Sequence, residues 1–146
     1  MLYYHAEMML KLLDFFFIIF HTLLVFFNLF GWISRKTRLI NLITLLLTGF
    51  SWFFLGIFYG YGYCPLTDWH FWVLERLGEN NLPASYIEYL VERFLPVNVN
   101  AETVDIFTVV LFFTALLITV VLNYRDHSRV RKVKDSEISN SLVNKR

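Results

Sequence analysis

The only cysteine, Cys64, opens the run Cys64-Pro65-Leu66-Thr67-Asp68-Trp69-His70, so a thiol, a carboxylate and an imidazole follow one another closely. All three are donors that zinc accepts, and His21 or His5 could complete a site, though this spacing has no specificity of its own. Two other readings stand beside a metal site. A reactive thiol needs a positive group nearby to lower its pKa, and no lysine lies close in sequence. A structural turn needs only Pro65 to end the preceding helix. His21 lies midway along an apolar run. There an imidazole either bonds a neighbour such as Ser51 or a backbone carbonyl, or serves as a haem or metal ligand or a proton carrier.

The elements that hold these residues are membrane helices. The chain has 146 residues, 57% hydrophobic and 19% aromatic, with sixteen phenylalanines and only 17% charged residues. An ordinary soluble domain carries about 25% charged residues. Sixteen phenylalanines exceed what a core this small needs, so the surplus belongs on lipid-facing surfaces. A net charge of +1 argues against nucleic acid as a partner, because such a protein needs a basic face. One cysteine excludes an intramolecular disulfide, and no paired Cys/His zinc spacing occurs.

The fold class read from this pattern is an all-α membrane protein with three transmembrane helices, near 11–33, 39–61 and 102–124. The first run lacks the charged start and small-residue end of a signal peptide, so a retained helix is expected. Gly56 and Gly60 form a GxxxG spacing, which permits close helix approach and also arises by chance. Between the second and third spans, Thr67 or Asp68 can cap a short helix to residue 77, with Gly78 as its stop. Ser85 can cap another over 85–94, ending before Pro96. Their aromatic content places both at the membrane interface. Asn100 is a plausible cap for the third span. Residues 1–126 form a single transmembrane domain, and 127–146 a basic, then Ser/Asn-rich tail expected to be disordered.

The 34–38 loop and the segment after Tyr124 are both basic, whereas the 62–101 connection holds only Arg76 and Arg93. The positive-inside rule therefore predicts the N-terminus outside and the tail in the cytoplasm, with Cys64 at the outer face, which is the periplasmic side if the host is Gram-negative. Polar residues in the spans fall into stripes at 100° per residue. Asp14, His21 and Asn28 share one face of the first helix; Asn41, Thr44, Thr48 and Ser51 share one on the second; Asp105, Thr108, Thr119 and Asn123 share one on the third. Thr114 lies opposite and is expected to bond its own helix. The stripes predict a polar seam, with Asn28, Asn41 and Asn123 near the inner surface. Asp14, Asp105, Cys64, Thr67, Asp68 and His70 gather at the outer end. Asp14 and Asp105 could pair with Lys11 or Arg76.

The run Cys64-Pro65-Leu66-Thr67, then Gly78-Glu79, Tyr86-Ile87-Glu88-Tyr89 and Leu95-Pro96, resembles the bacterial domain-of-unknown-function family 2784 over about residues 15–126. That resemblance implies a small polytopic membrane protein and brings no established activity. It matches His21 to a histidine of the family's first span and Asn123 to an asparagine late in its last. Relatives carry Glu where His70 stands and a histidine near Asn41, and the lack of that second histidine weakens a bis-histidine haem site. The leading reading is a non-enzymatic accessory or partner-binding membrane subunit, in contact with lipid and with a membrane protein partner or a second copy. The alternatives are a haem- or metal-binding redox protein using His21, Cys64 and His70, and a small oligomeric transporter or proton-handling element. No cofactor is required by the leading reading.

Overall fold

The computed structural model describes residues 2–95 and 100–143. Six α-helices follow in order: α1 (Leu2–Phe30), α2 (Arg38–Phe50), α3 (Gly56–Tyr59), α4 (Pro65–Arg76), α5 (Tyr86–Phe94) and α6 (Ala101–Val143). A π turn, Ser51–Leu55, joins α2 to α3 without a break, so both form one rod, Arg38–Tyr59, of 22 residues. With α1 and α6 it makes three helices long and apolar enough to cross a bilayer, which takes about 20 residues each. Phe15, Phe20, Leu23, Leu47, Phe107 and Leu117 are among the large apolar side chains left exposed on these rods. In water this surface would be untenable; in lipid it is the expected exterior. The chain is a multi-pass membrane protein.

One end of the bundle is closed by the turn between α1 and α2. Thr37 Oγ1 donates to the Gly31 carbonyl at 2.7 Å, Trp32 Nε1 to Leu29 at 2.7 Å, and Arg38 Nε to Trp32 at 2.9 Å. Asn41, with 0% exposure, then reaches all three spanning helices. Its Nδ2 donates to the Phe27 carbonyl at 2.6 Å and to that of Asn28 at 3.3 Å, while its Oδ1 accepts from Thr119 Oγ1 at 2.8 Å. Asn123 Nδ2 adds bonds to the carbonyls of Arg38 at 3.1 Å and Thr119 at 2.9 Å. Arg38 also pairs with Asp126 at 2.6 Å. Gly31 is small because it must be: a Cβ there would lie 2.6 Å from the Phe27 oxygen and 2.8 Å from Asn41 Nδ2. Leu45, Phe112 and Ala115 form the apolar core between α2 and α6, with Trp52 tilted on Phe112 at 4.8 Å.

At the other end the π turn rearranges the second rod. Such a turn takes carbonyls off the regular i+4 ladder, and the Trp52 carbonyl accepts from Gly62 N instead, at 3.4 Å. Ser51 Oγ donates to the Tyr63 carbonyl at 2.8 Å, so the chain after α3 folds back on its own helix. Gly62 has φ +83, which only glycine adopts freely. The GxxxG glycines pair no helices among the described residues. A Cβ on Gly56 would meet the Tyr61 backbone, and one on Gly60 would meet nothing.

Several boundaries differ from the sequence expectation. The first short helix begins at Pro65 with Cys64 as its N-cap residue, so neither Thr67 nor Asp68 caps it; proline at the first position is preorganised for that start. Ser85 caps α5 by accepting from Glu88 N at 3.2 Å, and Asn100 Oδ1 accepts from Thr103 N at 3.1 Å. Pro96, the expected stop of α5, lies outside the described residues. The helix that carries the third span does not stop near Tyr124. It continues as helix to Val143, 43 residues in all, so the tail expected to be disordered is helical as far as it is described. No proline or glycine follows Tyr124, the segment is rich in Arg and Lys, which favour helix, and Arg131 and Asp135 stand at i,i+4. Residues 144–146 lie outside the description. Thr114 Oγ1 bonds the Val110 carbonyl at 2.7 Å and is exposed, a threonine serving only its own helix.

Asn41→Leu should destabilise the bundle by about 2 kcal/mol, since it strands a buried carbonyl and a buried hydroxyl at once. Thr119→Val should cost about 0.6 kcal/mol, the ordinary value of one interhelical bond in lipid. Reversible unfolding in mixed micelles measures both, and equal small losses would show that Asn41 holds nothing together.

Candidate functional site

The titratable groups meet where α4 and α5 lie against the N-terminal half of α1. His70 of α4 is wholly buried, and its Nε2 lies 2.8 Å from Asp14 Oδ1. Asp14 Oδ2 accepts from Arg93 Nη2 at 3.1 Å, and Arg93 Nη1 donates to the Tyr89 hydroxyl. The guanidinium also sits 5.6 Å from the Tyr89 ring centre, within cation–π range. One carboxylate from α1 therefore holds both cap helices. Asp14 does not pair with Lys11, which bonds Glu7 at 2.7 Å, nor with Arg76, which lies over the Trp72 ring at 5.0 Å. Glu7 stands four residues before Lys11, the favoured order for a helical pair, while both Asp14 oxygens are engaged by His70 and Arg93.

Rings pack this junction. Phe17 stacks on His70 at 5.5 Å, and Tyr86 stacks on His21 at 3.8 Å. Tyr86 also touches His70 at 5.6 Å, so it separates the two histidines. Ile18, Leu74, Tyr86 and Tyr89 form the local apolar core. Burial pushes the Tyr86 phenol well above its ordinary value and raises that of Tyr89, so both stay neutral. Burial likewise lowers the His70 imidazole, more than Asp14 raises it. His70 Nδ1 is buried and has no hydrogen-bond partner among the described residues. That atom sits easily as the bare nitrogen of a neutral Nε2–H imidazole and badly as a stranded N–H of an imidazolium.

Beside the junction, a cleft of about 330 Å³ opens between α1, the π turn, α6 and the cap. His21, Asn28, Thr48, Cys64, Thr67, Ser85, Tyr86, Asp105 and Thr108 contribute to its walls. Asn28 Nδ2 donates to Thr48 Oγ1 at 3.1 Å, but Asn28 Oδ1 and His21 Nδ1 are buried with no partner among the described residues. His21 does not bond Ser51, whose hydroxyl is taken by Tyr63. Asp68 accepts from the Tyr63 hydroxyl at 3.3 Å and lies outside the cleft wall, as does His70. Asp105 forms no salt bridge among the described residues.

The candidate residues thus divide into two sets, with Asp68 in neither. Asp14 and His70 belong to the junction; His21, Cys64, Thr67 and Asp105 line the cleft. Among the described residues no three His, Cys, Asp or Glu side chains gather closely enough to hold a metal ion. Sequence reasoning missed Tyr86, Tyr89 and Arg93 as members of the junction. Their signal was the i, i+3 and i+7 spacing on α5, which puts all three on one face.

These features define a polytopic helical membrane protein with a capped end and a half-polar cleft. A family model described as "Protein of Unknown function (DUF2784)" matches residues 11–124, and the chain belongs to that family. No curated protein and no solved structure matches the chain.

Because the folded state holds His70 below 6.5, its contribution to stability is complete above 6.5 and is lost as pH falls through the folded value. The thermal midpoint should therefore drop on acidification from neutral pH, and His70→Gln should flatten that drop. Asp14→Asn should release the cap, read as faster proteolysis between Gly78 and Leu82; protection equal to the parent chain would refute the tie.

Proposed function

We propose that the chain is a non-enzymatic accessory subunit of the bacterial inner membrane that works by binding a membrane protein partner. The observation that carries this reading is the length of α6. Its 43 residues extend about 64 Å, roughly twice the hydrocarbon thickness of a bilayer. The half beyond Tyr124 is a mixed-charge helix on which Arg129, Val130, Arg131 and Lys132 are exposed, Val130 by 68%. Among the described residues nothing covers the face from Arg129 to Lys132, which leaves it open to a partner. The junction residues Asp14, His70 and Arg93 are engaged in holding the cap, which favours a structural assignment for them over a catalytic one.

The orientation in this reading places the arm in the cytoplasm. Arg35, Arg38, Arg125 and Arg129 line one recess at the same end of the bundle, and a basic end faces inward under the positive-inside rule. Asp126 alone offsets them there. The cap and the cleft then face the outer side.

Photo-crosslinking in living cells tests the reading. A photoreactive residue replacing Val130 should give a protein adduct of one defined mass, whereas one replacing lipid-facing Leu117 should give lipid adducts only. No adduct at Val130, Arg131 or Lys132, or one that merely doubles the mass of the chain, would overturn the accessory role.

A further inference from the structure

We propose that the cleft beside His21 binds a membrane amphiphile whose head donates hydrogen bonds and carries no negative charge, a hydroxyl or an amine. Two side chains built into its wall each leave one polar atom without a partner among the described residues. His21 is 7% exposed and Asn28 8%, yet His21 Nδ1 and Asn28 Oδ1 are buried with no partner among the described residues. Buried polar atoms in native proteins nearly always find a partner, so two on one cleft point to something that fills it.

The chemistry of the wall selects the head group. Thr48 Oγ1 gives its proton to the Thr44 carbonyl at 2.9 Å, and Thr108 Oγ1 gives its proton to Val104 at 2.8 Å. Both hydroxyls therefore meet the cleft with lone pairs only. Asn28 Oδ1 adds another acceptor, and Asp105 adds a carboxylate. His21 Nδ1 accepts as well when its proton sits on Nε2. No lysine or arginine lines the cleft among the described residues. A phosphate or carboxylate head would meet the Asp105 carboxylate and no cation, with only uncharged donors such as Thr67 to hold it. A hydroxyl or ammonium head would meet partners, and the uncharged donors Ser85 and Trp52 can serve a hydroxyl's lone pair.

The shape selects an amphiphile. Asn28, Trp52 and Thr108 also line a second pocket of about 130 Å³, whose remaining walls include Leu45, Leu111 and Phe112. Water needs two or more polar partners to stay in such a space, and this end offers few. A head in the larger cleft with its alkyl chain in the apolar pocket satisfies both. The inference does not depend on the accessory role, since a chain with no partner on α6 could still bind the amphiphile.

Trp52 reports occupancy directly, because bromine quenches indole fluorescence near contact. The full chain in mild detergent is titrated with a terminally brominated undecanol, the corresponding amine and the corresponding phosphate monoester. Trp52→Phe identifies the part of the signal that belongs to the cleft. The expected result is saturable Trp52 quenching by the alcohol or the amine, at least about tenfold tighter than by the phosphate. A preference for the amine would place Asp105 in the contact; a preference for the alcohol would place Asn28 and His21 there. Asn28→Leu should weaken binding about tenfold. Val25→Phe, which fills the cleft without touching its polar groups, should abolish saturation. Linear quenching by all three probes, equal in Val25→Phe, would mean ordinary lipid contact and overturn the proposal, as would preference for the phosphate.

Discussion

A single carboxamide, Asn41, ties together the three spanning helices. In hydrocarbon no water is available to accept a stray proton or lone pair, so each polar group must find its partner inside the protein. Asn41 donates to two carbonyls of α1 and accepts from Thr119 of α6 while riding on α2. Those contacts fix register and rotation for all three rods at once. Shape complementarity then follows, with Gly31 cleared for the amide and Gly49 lying against the Phe112 ring. Apolar packing alone could not do this, because lipid chains compete with it on equal terms.

The opposite end obeys the same constraint by another route. The π turn lies at that end, and among the described residues no asparagine joins the rods there. Instead Asp14 anchors the cap through His70 and Arg93, and stacked rings fill the space between. A carboxylate with two partners, one of them a guanidinium, satisfies its lone pairs without bulk water. The junction has the residue types of a catalytic constellation and the connectivity of a brace. What separates the two is whether a reactive atom stays open, and here the carboxylate and guanidinium are spent on each other.

The cleft is a consequence of joining these two ends. Closure at Asn41 and a cap held on α1 leave a cleft beside the π turn, between α1, the second rod and α6. Its polar atoms are those of the same stripes that make the seam elsewhere. Asn28 and Thr48 still pair across it, but His21 stacks on Tyr86 and leaves Nδ1 unmatched. The seam is satisfied where the helices touch and unsatisfied where they part.

Much of this was legible in the chain. Hydropathy and helix length dictate three spans, because a bilayer sets the length of apolar helix it accepts. Stripe periodicity marks Asn28, Asn41, Thr119 and Asn123 as seam residues, because polar side chains in lipid turn inward. Ser85 and Asn100 announce their helices through local backbone chemistry. What the chain could not state is partner choice across sequence distance. Asp14 passes over nearby Lys11 for Arg93, and Ser51 passes over His21 for the Tyr63 carbonyl, because the cap and the π turn bring those atoms together only after folding. The continuation of α6 past Tyr124 was present as propensity and was outweighed by composition. Local rules determined the elements and their inward faces; tertiary packing decided which polar atoms were spent and which were left open.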